Sequence, residues 1–136
     1  MNNQTCNEKS IIKILNFILE LQKKAECINL DSAGCDKKYL GTNLNNGVIF
    51  NTRPITIYSC CNGTLWEMPY TLNNIGGTST TFKISKTNDN CATFEILAPN
   101  PDTTNPLIPY ISTNNYFTID LDCVLAIRCL NDTYTN

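Results

Sequence analysis

The sequence predicts a mainly β chain, a single β-sandwich or jelly-roll-like domain preceded by one N-terminal amphipathic helix. Three observations carry that expectation. The chain has 136 residues, 42% of them hydrophobic, enough for one core and too few for two comfortable ones. Apolar residues recur at helical spacing in only one stretch, near the N-terminus. From Gly47 onward, short β-branched and aromatic runs alternate with turns of Asn, Gly and Pro, the texture of an all-β domain.

Taken in order, residues 1–7 are polar and read as a flexible arm bearing one thiol, Cys6. Over residues 8–26, Ile11, Ile14, Leu15, Ile18, Leu21 and Ala25 form the apolar stripe of a helix. Asn7 is its expected cap, and Lys23 and Lys24 suit the negative end of the helix dipole. Residues 27–46 read as a connector carrying Cys27 and Cys35, and 47–136 as the β domain. Within it, strands are expected at Gly47–Phe50, Ile55–Cys60 and Leu65–Tyr70, with Asn62-Gly63 as a tight turn. Asn73 to Gly77 reads as another turn. Thr80–Thr87 and Cys91–Leu97 alternate cleanly and form a hairpin across Asn88-Asp89-Asn90. Ala98 to Pro109 holds four of the six prolines and reads as a loop crossing between sheets or over a barrel end. Tyr116–Leu130 reads as the longest strand, with a bulge expected near Asp122.

Composition narrows the function. Charged residues are only 16% and the net charge is −2, while Asn contributes 20 residues and Thr 17. Such a surface repels its neighbours weakly and suits dense packing. The eight Lys are scattered and the only Arg are Arg53 and Arg128, so the basic patch that nucleic acid requires is missing and no such partner is expected. Ile11 to Leu21 carries Lys13, Asn16 and Glu20, which suits neither a signal core nor a membrane span. Synthesis in a cytosol and no membrane partner are therefore expected. The chain contains no His, which removes the commonest general base and the Ser–His and Cys–His dyads. Asp120 and Asp122 share one strand face, but alternation turns that face to solvent. No catalytic residue and no cofactor is assigned.

Eight cysteines remain: Cys6, Cys27, Cys35, Cys60, Cys61, Cys91, Cys123 and Cys129. Structural zinc favours C-x₂₋₄-C pairs, often with His. Neither is present, so no metal site is expected. Disulfides are the alternative. Cys60 and Cys61 are neighbours on a strand, so they project to opposite faces and each needs a partner elsewhere. Cys123 and Cys129 would stand about 20 Å apart in one extended strand. The cross-link candidates are Cys6, Cys27, Cys35, Cys60, Cys61 and Cys129, with Cys6 and Cys35 in polar segments favoured for bonds between chains. Cys91 and Cys123, in dense apolar sequence, are read as core thiols or as further cross-link partners, with neither favoured.

The motifs Asn51-Thr52-Arg53-Pro54, Asn90-Cys91-Ala92-Thr93, Ile119-Asp120-Leu121-Asp122-Cys123 and Ala126-Ile127-Arg128-Cys129-Leu130 resemble those of the spore coat protein Y/Z family, which includes the ExsY-type exosporium proteins. Asn16 to Gln22 and Ala33-Gly34-Cys35 resemble its helix and following cysteine cluster, so the likeness spans nearly the whole chain. The resemblance implies a non-enzymatic protein of the spore surface, in the outer coat or exosporium. It implies made in the mother cell, oxidised when that cell lyses, and assembled with itself into a hexagonal, disulfide-cross-linked lattice beside other coat proteins. The matching cysteines are Cys27, Cys35, Cys91, Cys123 and Cys129. This chain departs from the family in carrying Cys123-Val124-Leu125 where Cys-Phe-Cys is common, and in its Cys60-Cys61 pair. The alternative reading is an anchoring module, a β-sandwich that ties other spore-surface proteins or filaments to the coat.

Overall fold

A single apolar stripe decides how the first element sits. In the computed structural model, residues 5–27, 42–43, 48–60 and 62–135 are described, with side chains for 10–24, 50–60 and 62–135. Helix α1 spans Thr5–Cys27, beginning three residues before the expected start, so Cys6 lies in its first turn and Cys27 is its last residue. Ile11, Leu15, Ile18 and Leu21 are buried and form the stripe, whereas Ile14, expected on it, is 43% exposed. The i, i+4, i+7 spacing of Ile11, Leu15 and Ile18 centres the buried face and leaves Ile14 at its margin. The arm's first four residues, Cys61 and residues 28–41, which include Cys35, lie outside the described residues.

Among the described residues, the chain after that one helix is mainly β-structure, as the sequence predicts. Strands β1 (Thr42–Asn43) and β2 (Val48–Ile49) form a small ladder. Strands β4 (Met68–Leu72) and β5 (Ile75–Ser79) form a hairpin. The main sheet has five antiparallel strands in the order β8-β7-β6-β3-β9. Their ranges are β3 Ile55–Ser59, β6 Phe82–Asn88, β7 Cys91–Pro99, β8 Tyr110–Asp120 and β9 Val124–Cys129. The two edge strands, β8 and β9, follow one another in the chain, joined only by a 3₁₀ turn at Leu121–Cys123. A flat sheet cannot have such a connection. It must fold over until its edges approach at that turn, pivoting between β3 and β6, which share a single register pair, Ile55 with Phe82.

The fold encloses one core. Ile55 and Ile57 of β3 and Val124 of β9 meet Phe82 and Ile84 of β6, Ala92, Phe94 and Ile96 of β7, Ile119 of β8, and Ile11, Leu15 and Ile18 of the helix. Trp66, Met68 and Tyr70, on or just before β4, pack against the same cluster. Phe82, Phe94 and Phe117 form an aromatic trio, with centroids 4.9 Å apart edge-to-face for Phe82 and Phe117 and 5.6 Å stacked for Phe94 and Phe117. Pairs of this kind contribute about 0.5–1.5 kcal/mol beyond area burial.

Where the sheet splits at its pivot, a side chain continues the ladder. Two residues past the Ile55–Phe82 pair, the register would place Arg53 opposite Ile84, but the strands have parted. Gln22 of α1 enters the gap: its Oε1 accepts from the Arg53 N–H and its Nε2 donates to the Ile84 carbonyl, each at 3.1 Å. The amide copies the two bonds a strand residue would have made, and only 4% of Gln22 is exposed.

Three expectations change. Ile75–Ser79, read mostly as turn, is a strand, because the turn tightens to Asn73 and Asn74, both at positive φ of 53° and 65°. The proline-rich stretch crosses nowhere: β7 and β8 are neighbours, and the stretch closes a wide hairpin from Pro99 to Tyr110. The long strand Tyr116–Leu130 is two strands. The expected bulge near Asp122 is the 3₁₀ turn itself, capped by the Asp120 carboxylate accepting from the Asp122 N–H.

Candidate cross-linking surface

The four cysteines with described side chains, Cys60, Cys91, Cys123 and Cys129, are all exposed. They divide between two ends of β8. At its far end, Cys91 is the first residue of β7 and stands opposite Asp120. The Leu121 N–H donates to the Asn90 carbonyl at 2.8 Å, and the Cys60 N–H donates to the Cys123 carbonyl at 2.9 Å. Three cysteines thus gather around the 3₁₀ turn. The Asn90 amide ties the turn together by donating to Asp120 at 3.1 Å and Asp122 at 2.8 Å. With Asp89 in the adjoining β6–β7 turn, this end carries three carboxylates.

The core reading of Cys91 and Cys123 is therefore corrected to surface. For Cys91 the reason is strand alternation: Ala92, Phe94 and Ile96 take the inward positions, which sends the cysteine before them outward. For Cys123 the inward alternation of Ile119 and Leu121 stops at the 3₁₀ turn. Leu121 is still buried at 1% exposure, but the turn breaks the two-residue period and exposes the thiol. Asp120 and Asp122 are exposed, on the solvent side where alternation puts them.

Cys129, the last residue of β9, lies at the near end of β8. It lines a cleft of about 680 Å³ with Phe50, Pro106, Leu107, Tyr110 and Arg128. The cleft exists because the chain after β9 folds back against the segment before β3. Asn51 holds Thr135 by two bonds of strand-like geometry: its Nδ2 donates to the Thr135 carbonyl at 2.8 Å, and its Oδ1 accepts from the Thr135 N–H at 2.9 Å. Thr52, wholly buried, pairs in the backbone with Thr133 and bonds the Thr135 hydroxyl at 2.8 Å. Arg53 grips Asp132 through Nε and one terminal nitrogen, which donate to its two carboxylate oxygens at 2.6 and 2.9 Å, the bidentate fork that suits a carboxylate. The Thr133 hydroxyl donates to the Leu107 carbonyl at 3.0 Å. Partial burial raises the Cys129 thiol above its ordinary pKa; the nearby Arg53 charge lowers it and the Asp132 charge raises it. Hydrogen bonding to Asp132 raises the Arg53 guanidinium in turn.

In the sequence, Asn51-Thr52-Arg53-Pro54 stands out only as a family-like motif, without a role. Its role is to fasten the C-terminal segment. Spacing could not reveal this, because the partners lie about eighty residues away. The side chains of Cys6, Cys27, Cys35 and Cys61 lie outside the described residues. Among the described residues no cluster of three or more acidic or thiol groups could hold a metal ion. No helix among them is long and apolar enough to cross a membrane.

The family profile of spore coat protein Z matches residues 1–132, which takes in α1, the sheet and both cysteine-bearing ends. The chain belongs to the spore coat protein Z family. Membership gives it a structural role in the spore coat, at the spore surface. No curated protein and no solved structure matches it. In this chain, the motif from Ile119 to Cys123 leads into the capped turn at one end, and Ala126 to Leu130 belongs to the edge strand that carries Cys129 to the other.

Proposed function

We propose that this protein is a self-assembling unit of the spore coat or exosporium layer, locked to copies of itself by disulfides once its surroundings become oxidising. The observation that carries this reading is the placement of exposed thiols at both ends of the sheet. Cys91 gathers with Cys123 at one end of the sheet, and Cys129 lies six positions along β9 from Cys123, roughly 20 Å away. No bond between those two ends can form within one chain. Bonds made at two ends of a unit join it to two neighbours, and a head-to-tail contact of that kind propagates. Charge favours the same arrangement, since Arg128 lies beside Cys129 while Asp120 and Asp122 lie beside Cys123. A surface rich in amides and hydroxyls lets units pack closely, and each covalent bond turns dissociation into a chemical step. Repetition over a lattice, a hexagonal one in the family reading, multiplies modest contacts.

The test is assembly under controlled redox conditions. Recombinant protein is expected to form sheets or high-order rings under oxidising conditions. They should survive heat or denaturant and disperse when reductant is added. A chain that stays monomeric at high concentration when oxidised would overturn the reading. Cys91→Ser with Cys129→Ser, both exposed positions, is expected to leave the fold intact and make the assemblies soluble in mild denaturant. Mass mapping that finds disulfides only to other coat proteins would instead favour the anchoring module.

A further inference from the structure

We propose that Cys60 and Cys123 form a disulfide within one chain, a covalent rung at the end of the β3–β9 ladder. This deepens the proposed function, from which it takes only the oxidising setting. The register points to it. Beyond the irregularity at Tyr58 and Ser59, Ser59 faces Val124, and one step further the Cys60 N–H donates to the Cys123 carbonyl at 2.9 Å. Cys60 follows β3 and Cys123 ends the 3₁₀ turn before β9, and a backbone bond of this kind between antiparallel segments sets the two Cα atoms about 5.5 Å apart. That separation falls inside the range of about 4.4–6.8 Å that a disulfide requires. Both cysteines are exposed, so an oxidant reaches them. The competing pairings within the described residues are poorer. Cys129 lies six positions along β9 from Cys123, about 20 Å away, and Cys91 stands opposite Asp120.

The oxidant is a small-molecule disulfide such as oxidised glutathione. One protein thiolate attacks it, forming a mixed disulfide and releasing one small thiol. The second protein thiolate then attacks the protein sulfur of that mixed disulfide and releases the other. Two protein S–H bonds are lost, one S–S bond forms, and both protons and both electrons end on the small thiols. The rung joins the strand that ends at Cys60 to the turn connecting β8 with β9, the place where the folded sheet closes. It also leaves Cys91 and Cys129, at opposite ends, as the described thiols that remain for neighbours.

The experiment uses the full chain, reduced and then oxidised at high dilution with oxidised glutathione. Remaining thiols are blocked with N-ethylmaleimide, and the monomer is digested without reduction for mass mapping. The expected result is a peptide pair joined through Cys60 and Cys123, two hydrogens lighter than the sum of the free peptides. Fragmentation between positions 60 and 61 assigns the bond, Cys61→Ser retains it, and Cys60→Ser abolishes it and leaves Cys123 blocked. Finding both residues blocked or glutathionylated in the wild-type monomer, or Cys123 joined to Cys61 or Cys91, would overturn the inference. A missing bond in chains that still assemble rejects this inference alone. A bond present in chains that never assemble rejects the assembly reading alone.

Discussion

At the scale of single residues, the chemistry of the surface turns on how readily each thiol ionises, because the thiolate is the nucleophile. Burial raises the Cys129 pKa, with Arg53 and Asp132 pulling in opposite directions. Cys129 is therefore expected to react more slowly than an unperturbed thiol near neutral pH and to gain rate as the pH rises. Asp132→Asn removes the charge that raises its pKa and should speed alkylation, whereas Arg53→Gln should slow it. Rates of iodoacetamide labelling across pH, followed by peptide mass, decide this. Equal rates in all three proteins would show that the pair does not act on the thiol. The exposure of Cys91 and Cys123 has a simpler check. Both should take up maleimide quickly in the folded, reduced chain, without denaturant.

At the scale of elements, the helix is the keystone of the fold through two contacts of different kinds. Leu15 is wholly buried in the core, so Leu15→Ala is expected to cost about 2–5 kcal/mol in urea unfolding. Gln22 supplies hydrogen bonds where the ladder parts. Gln22→Leu leaves the Arg53 N–H and the Ile84 carbonyl without them and should cost about 1–3 kcal/mol. Gln22→Glu sharpens the point. The ionised carboxylate accepts from Arg53 but cannot donate to Ile84, while the protonated acid does both. That variant should lose stability as the pH rises through the carboxyl pKa, relative to wild type measured alongside. A pH-independent difference would mean that shape alone matters at this position.

The same scale shows what was legible in the sequence. The apolar period of α1 and the alternation in β6 and β7 are local patterns, and they located those elements well. The β8–β9 break was not legible, because Leu121 continues the apolar alternation while Asp120 caps a turn, and a period of two cannot distinguish a bulge from a corner. Strand β5 was hidden by Gly76 and Gly77, which read as turn residues. Here they lie opposite Thr71 and Tyr70, and a side chain added at Gly77 would strike the Tyr70 ring, its hydroxyl 2.6 Å from the added carbon. The two-ended thiol arrangement was out of reach altogether, since it depends on which strands become the edges.

At the scale of the whole molecule, the C-terminal segment is a clasp. Removing residues 131–136 deletes the partners of Asn51, Thr52 and Arg53 together. Such a chain is expected to keep its helix and β content by circular dichroism, to melt at a lower temperature, and to label faster at Cys129. Unchanged melting would show the clasp to be passive.

The way the strands run has a mechanical consequence. A shell that swells or bends puts its units under tension, and in the proposed assembly that tension enters at Cys91 and leaves at Cys129. The line between them follows the long direction of β8, and Cys91 begins the strand paired with it. Load along paired strands acts on their hydrogen bonds side by side, in shear, so many must fail together. Load across them would peel the bonds one after another. Covalent joints at the two ends of the sheet would thus place the strain where the fold resists it best, and the unit would yield last at its own ladder.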